Sequence, residues 1–445
     1  MSGIFKAYDI RGVCPDELDE EIAFKIGRAL GQILNEGPLA LGRDMRLSSP
    51  RLAASCGEGI RSSGIDVVDV GMISTPADYF AIANYDHAGG AMVTASHNPA
   101  RYNGFKLSGR EARPVGSDSG LAEIEKLVDS GEFTERNHRG KRRTLDIADD
   151  YREHVLRFAG DIKPLKVVID AANGMGGVMW PPILEKLPVE VIPLFFEPDG
   201  TFPNHEANPL KDENIKDLQA KVRETGADLG IAVDADCDRA CFVDNVGERI
   251  SSDLVTALIA RHYLAREQGA HIVYDLRSSW VVKEEIEKAG GVPVMDRVGH
   301  AFMKATMREK GSPVGGELSG HYYFRDNWYC DSGIIATMRV LTALSEAGEP
   351  MTEVMKPLRR YHSTGEVNFQ VEDKDGKIEE MAKAFSDGRQ FRLDGISVEY
   401  EDWWFNVRKS NTEPLLRLVL EGKTLDAMEK GKARVMKHLG TPVAE

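Results

Sequence analysis

Apolar residues along the chain follow two rhythms. In DELDEEIAFKIGRALGQIL (16–34) they recur every three or four positions, which predicts an amphipathic helix. PLALGRD (38–44) is a short apolar run of strand type, RLAASCGEGIRSSG (51–64) is helical and closed by glycine, and IDVVDVG (65–71) and AMVTAS (91–96) are strands. The charged stretch around 130–145, SGEFTERNHRGKRRT, has neither rhythm and reads as a linker. A second unit repeats the logic. KVVIDA (166–171), VEVIPL (189–194) and ADLGIAVD (227–234) are strands, NGMGG is a turn and ENIKDLQAKVRE (213–224) is a helix. A third begins near SSDLVTALIARHYL (251–264), with strands HIVYD and VPVMD and helices WVVKEEIEKAGG and HAFMKATMREKG. Beyond about residue 362 the segments EVNFQVED, ISVEYEDWWFNVRKS and LLRLVLEG are strand-rich and flanked by helices at 376–387 and 424–439. The expected architecture is α/β: three consecutive units of mixed sheets sandwiched by helices, then a smaller C-terminal α+β domain. The expected divisions are 1–140, 141–248, 249–362 and 363–445.

Length agrees, since 445 residues suit about three or four domains. Hydrophobic residues at 42% and charged residues at 29% describe a globular chain. No run reaches the roughly 18 to 20 apolar residues of a membrane span, and MSGIFKAYDIRG has no signal-peptide core, so the expected location is cytoplasmic. Five scattered cysteines suit a reducing compartment. Cys237 and Cys241 have no second Cys/His pair, which argues against zinc. A net charge of −15 argues against nucleic acid as a main partner but leaves room for small anions at a locally basic site.

Five short stretches carry candidate chemistry. GGAMVTASHNP delivers Ser96 and His97 to the end of an apolar strand. In IAVDADCDRACFVD, Asp234, Asp236 and Asp238 alternate after another strand, an oxygen set that suits a hard cation such as Mg²⁺. An EF-hand is excluded because its sixth and twelfth positions are Arg239 and Asn245 here. In PVGGELSGHYYF, Glu317 and Ser319 lie two residues apart beside His321, suited to grasping neighbouring hydroxyls. In FNVRKSNTEPLLRL, Arg408 offers a bidentate fork for phosphate, with Ser410, Asn411 and Thr412 as short donors. At the N-terminus, FKAYDIRG places Tyr8 and Arg11 where they could reach an anion. Taken singly, the serine, glycine-rich and arginine stretches would equally suit a strand-to-loop junction, a turn and an exposed loop. Together they fit chemistry on a sugar phosphate in a cleft where domains meet.

These residues resemble the α-D-phosphohexomutases, and within them the bacterial phosphomannomutase/phosphoglucomutase branch, over essentially the full length and in the family order. T-A-S-H-N-P at 94–99 is similar to the phosphoserine loop, D-A-D-C-D-R at 234–239 to the metal loop, G-E-L-S-G-H at 316–321 to the sugar-binding loop and R-K-S-N-T-E-P at 408–414 to the phosphate-binding loop. The resemblance implies four domains around a central cleft and a reversible mutase. Phosphorylated Ser96 gives its phosphoryl group to a hexose monophosphate, and the 1,6-bisphosphate so formed returns the other one. It implies Mg²⁺ on Asp234, Asp236, Asp238 and a Ser96 phosphate oxygen, with glucose or mannose 1,6-bisphosphate as the priming activator. It also implies acid/base and substrate-polarising roles for Lys106 and His300, and substrate contacts for Arg239 and Arg277, the latter standing where some relatives carry lysine. The expected partners are sugar phosphates only, with no nucleic acid or membrane, and the expected state is monomer or weak dimer. His97, on the opposite side of a continued strand, is not expected to serve as the base of Ser96.

Glu317 and Ser319 gripping adjacent O3 and O4 would be indifferent to a flipped bisphosphate and blind to C2, which implies that mannose and glucose are both accepted. Phosphoglucosamine mutases usually carry Gln in the sugar loop and Gly in the phosphate loop, where this chain has Leu318 and Asn411. A phosphoglucosamine mutase remains the alternative within the family. A serine/metal phosphatase, which would release free phosphate, and a non-catalytic sugar-phosphate sensor remain alternatives outside it.

Overall fold

Strands and helices alternate through most of the computed structural model, which describes residues 3–6, 8–410 and 415–443, leaving aside the side chains of residues 117 and 118. The chain forms two compact units, one of residues 1–251 with 319–354 and one of residues 252–318 with 355–445.

In the first unit, one sheet runs in the order Ile10–Val13, Tyr102–Gly109, Gly89–Val93, Leu39–Arg43, Val67–Met72, Arg142–Thr144. Leu39–Arg43 pairs in parallel with both Gly89–Val93 and Val67–Met72, while Tyr102–Gly109 is antiparallel to its two neighbours. Gly89–Val93 is buried throughout, as expected of a central strand covered on both faces. One cover is the pair of helices Glu20–Leu34 and Ser49–Ser62. They cross closely because glycines stand at the contact: a Cβ on Gly27 or Gly59 would lie 2.0 Å from the carbonyl oxygen of Cys56 or Phe24. Asp19 caps the first of them by accepting from the backbone N–H of Ile22.

A helix not anticipated from the pattern, Thr75–Asn84, is buried from Thr75 through Ile82. Its TPADYFAIAN sequence has no polar face, so the amphipathic rhythm that reveals surface helices is missing. The expected linker is also revised. Arg142–Thr144 is a strand paired in parallel with Val67–Asp69, and Gly140 lies so close to Ile65 that a Cβ would meet its carbonyl at 1.8 Å. All three strand residues are exposed, which explains why no apolar signal marked them.

Asp78, in the first turn of the buried helix, is buried with no counter-charge beside it among the described residues, and the backbone of Gly42 offsets only part of that burial. Burial pushes its pKa from 3.8 up to about 7. A carboxyl whose folded pKa is raised supports stability fully below its unfolded value and loses that support as pH rises through the folded value. Wild type should therefore lose on the order of 3 kcal/mol relative to Asp78→Asn between about pH 4 and pH 7. Urea titrations of both proteins across that window test it, and parallel pH profiles would contradict it.

The second sheet has the order Arg249–Ile250, Ala240–Asp244, Leu229–Val233, Leu165–Asp170, Val189–Leu194, with parallel pairing on one side and antiparallel hairpins on the other. The turn joining Leu229–Val233 to Ala240–Asp244 holds the D-A-D-C-D-R stretch. Residues 319–354 return to this turn. Ala240 N–H donates to Gly320, Gly333 N–H donates to Cys237, and a Cβ on Gly333 would lie 2.4 Å from the Arg239 carbonyl.

In the second unit, Val292–Asp296, His271–Asp275 and Val314–Gly316 are parallel strands, accompanied by helices Ser252–Leu264, Trp280–Lys288 and His300–Lys310. The C-terminal sheet, in the order His362–Gln370, Leu415–Gly422, Trp403–Lys409, Ile396–Glu399, Arg389–Phe391, is wholly antiparallel. Helices Lys374–Ala384 and Leu425–Leu439 complete it around a core that includes Phe369, Phe385 and Phe405. This is the expected change from α/β to α+β. No helix of the described residues is long and apolar enough to cross a membrane.

Candidate active site

Ser96 follows the buried strand Gly89–Val93 and adopts a left-handed backbone, φ +49°. That conformation disfavours most side chains and persists only where the surroundings impose it. Two features impose it here. The Ser96 N–H donates to Thr94 Oγ1 at 2.9 Å. The buried guanidinium of Arg46 donates to four carbonyls of the same loop: Ser96 at 2.7 Å, Asn98 at 2.6 Å, Pro99 at 2.9 Å and Tyr102 at 3.0 Å. Asp44, 3.2 Å away, is its counter-charge, and the Phe202 ring lies 5.0 Å off. Sequence reading passed over Arg46; its one signal is the D-x-R spacing directly after the strand PLALGRD.

Arg46→Met should let this loop relax and leave Asp44 buried and unpaired. We expect kcat to fall roughly 10- to 100-fold and unfolding free energy to fall by about 3 kcal/mol. Parallel kinetics and urea denaturation read both, and an unchanged kcat in a folded variant would remove Arg46 from the positioning of Ser96.

The turn also revises the placement of His97. Because the backbone turns left-handed at Ser96, strand alternation stops, and His97 Nδ1 comes within 3.3 Å of Ser96 Oγ instead of pointing away. Burial, reinforced by the charges of Arg239 and Arg11, drives the His97 pKa well down, so the ring is neutral.

Ser96 Oγ donates to Asp234 Oδ2 at 2.9 Å. Asp234, Asp236 and Asp238 are all buried, with oxygens within 4.8 Å of one another. Burial and then the charges of Asp238 and Asp236 lift the Asp234 pKa well up. Lys106, on Tyr102–Gly109, reaches Asp236 at 2.9 Å and also contacts Asp238. Burial opposes its charge, but Asp236 and Asp238 outweigh burial and raise its pKa. Arg239 donates its N–H to Asp234 Oδ1 at 3.2 Å, and its Nε lies 3.8 Å from Asp234 and 4.0 Å from Asp238. Thr75, at the start of the unanticipated helix, donates its hydroxyl to Asp236 at 2.6 Å. Asp236 Oδ1 is buried with no hydrogen-bond partner. Such an all-oxygen set, with an acceptor to spare, fits a hard divalent cation such as Mg²⁺.

Other expected residues of the first unit gather nearby. Arg11 donates to Asn98 Oδ1 at 2.5 Å and pairs with Asp9 at 2.7 Å, while Tyr8 is half-buried just ahead of the same strand. His321 forms a backbone bridge with Arg239, and its Nε2 lies 3.5 Å from Asp238 and 3.7 Å from Asp331. Its other ring nitrogen is 3.0 Å from the Ser319 hydroxyl. Asp331, on the short strand Cys330–Asp331, was not anticipated, since nothing around it in the sequence marks a motif.

The remaining expected residues belong to the second unit. Arg277 forms a fork with Asp275 at 2.7 and 3.1 Å and lies 3.9 Å from Glu317. Glu317 accepts from the Gly299 N–H at 3.0 Å, which ties the stretch carrying Glu317 to the start of the helix that His300 opens. Arg408 is almost fully buried, and Ser410 donates its N–H to Leu415 at 2.9 Å. Asn411 and Thr412 lie outside the described residues.

Comparison with known proteins agrees across the chain. Models of phosphoglucomutase/phosphomannomutase α/β/α domains I, II and III match residues 2–135, 149–247 and 251–361, and the model of the family's C-terminal domain matches 366–438. A protein of Xanthomonas campestris described as phosphohexose mutases is 41% identical over 98% of both chains. A phosphomannomutase of Salmonella montevideo is 40% identical over 94% of both. The crystal structure of a phosphoglucomutase/phosphomannomutase family protein from Burkholderia thailandensis superposes with a TM-score of 0.90 at 35% identity, covering 100% of this chain and 99% of that one. The chain belongs to the phosphoglucomutase/phosphomannomutase family and is a mutase.

Proposed function

We propose that this protein interconverts hexose 1-phosphates and hexose 6-phosphates, of mannose and glucose alike, by carrying a phosphoryl group on Ser96. One observation carries the reading: a buried serine held left-handed, its hydroxyl 2.9 Å from a member of a buried carboxylate triad. In the first half-reaction the bond from phosphorus to Ser96 Oγ breaks as the free hydroxyl of the sugar monophosphate bonds to phosphorus. The hydroxyl's proton passes to His300, and the departing Oγ takes a proton from Lys106, which Asp236 and Asp238 keep charged. The 1,6-bisphosphate then returns its other phosphoryl group to Ser96 with the proton transfers reversed. Mg²⁺ held by Asp234, Asp236 and Asp238 would neutralise charge on the transferring group. Arg239, Arg11 and Tyr8 contact its oxygens. Glu317, Ser319 and His321 hold the sugar hydroxyls, and Arg277, Arg408, Ser410, Asn411 and Thr412 hold the phosphate that is not reacting. The five cysteines, all free, suit a reducing cytoplasm.

The test is an initial-rate comparison on mannose, glucose and glucosamine 1-phosphates with Mg²⁺ and a trace of glucose 1,6-bisphosphate. Product 6-phosphate and free phosphate are assayed together. Turnover of mannose and glucose substrates with negligible free phosphate is expected. Preference for glucosamine would assign a phosphoglucosamine mutase, and stoichiometric phosphate release a phosphatase.

A further inference from the structure

Three arginines of the second unit converge on one carboxylate. Glu366 Oε2 accepts from Arg277 at 3.2 Å and from Arg408 at 2.8 Å, and Oε1 accepts from Arg417 at 2.6 Å. Local sequence explains how Glu366 gets there. The strand His362–Gln370 shifts register between Ser363 and Glu366, and Gly365 adopts φ +65°, a bulge that re-aims the next side chain. Arg277 and Arg408 are nearly fully buried, whereas the side chains of Glu366 and Arg417 are 21% and 20% exposed, so the cluster is reached from their side. Burial opposes the charge of Glu366, yet Arg277, Arg408 and Arg417 outweigh it and hold its pKa down at about 2. Arg408 keeps a buried Nε with no hydrogen-bond partner, a donor that the carboxylate does not use.

Planar guanidinium forks recognise carboxylate and phosphate through the same paired N–H donors. A fixed carboxylate among them therefore competes with any phosphoryl group for those donors. Building on the phosphate-binding role proposed for Arg277 and Arg408, we infer that Arg417 completes a three-arginine phosphate cradle and that Glu366 sets its affinity as an internal competing anion. A mutase needs that restraint, because a bisphosphate must turn over within the site and its product must leave. Without that competing carboxylate the guanidiniums, of which Arg277 alone keeps its fork to Asp275, would hold it too long.

The test titrates inorganic phosphate into the full-length, metal-free protein by calorimetry. Glu366→Gln keeps the shape and removes the charge, and should bind phosphate tighter by on the order of tenfold, with a lower KM for hexose 1-phosphate. Glu366→Asp withdraws the carboxylate by one methylene and should fall between Gln and wild type, so it tests the idea even if the Gln protein fails to fold. A merely structural Glu366 predicts the opposite, weaker phosphate binding and a higher KM in both variants, and that result or unchanged binding would overturn the inference. Arg408→Gln separates the two readings. Loss of phosphate binding there with no tightening at Glu366 rejects the inference alone, whereas phosphate binding unaffected by Arg408→Gln rejects the cradle itself and the inference with it.

Discussion

Ser96→Ala should lower kcat on hexose 1-phosphate by about 10⁴-fold or more, because it removes the oxygen proposed to carry the phosphoryl group. The neighbourhood offers no substitute. Thr94 Oγ1 is occupied as the acceptor for residue 96's own N–H, and His97, although 3.3 Å away, is a different nucleophile on a ring held by its own backbone position. The fold should scarcely notice the change. The hydroxyl contributes one hydrogen bond to Asp234, and losing it costs about 1 kcal/mol. Arg46 grips the loop through carbonyl oxygens that alanine retains. A left-handed alanine adds a modest strain, on the order of 1 kcal/mol. The deciding readout is intact mass after incubation with glucose 1,6-bisphosphate. Wild type should gain one phosphoryl group and the alanine protein none. An alanine protein that still gains mass, or keeps more than a few per cent of the rate, would move the carrier to another residue.

Ser96, the aspartates and the G-E-L-S-G-H and R-K-S-N-T-E-P stretches stand out in the sequence because each is a polar burst beside an apolar run. Such bursts stand out when strands are buried. The helix Thr75–Asn84 was not legible for the opposite reason, since burial on every side erases the polar face that gives a helix its rhythm. Yet that helix supplies Thr75 to Asp236. Arg46 and Glu366 escaped because their work depends on partners far along the chain: Arg46 on carbonyls some 50 residues later, Glu366 on arginines drawn from three separate strands and turns. His97 was misplaced by a sound rule applied past the end of its strand. Alternation holds while the strand continues, and the strand ends at Val93. What sequence periodicity cannot supply is the backbone reversal itself, which depends on tertiary hydrogen bonds to residues not yet in view.

Asp234→Asn should reduce turnover by about 10³-fold while leaving the metal-free protein at least as stable as wild type. The two effects have one origin. Three buried carboxylates within 4.8 Å of one another repel, and the close cations, Lys106 and Arg239, cannot offset all of that repulsion. Asp234 bears much of it, which is why burial and its two neighbours lift its pKa. Asparagine removes one of the repelling charges and keeps an oxygen for the Arg239 N–H. The same repulsion would draw a divalent ion to the triad, so relieving it should weaken Mg²⁺ binding. Melting curves with and without chelator distinguish these terms. At a Mg²⁺ concentration about 100 times its Kd, wild type should gain about 2.7 kcal/mol, and the asparagine protein far less at the same concentration. A stability increment of equal size in both proteins would place the ion away from Asp234. An asparagine protein markedly less stable without metal would instead mean that Asp234 holds the fold together through Ser96, and that the triad carries no unrelieved repulsion.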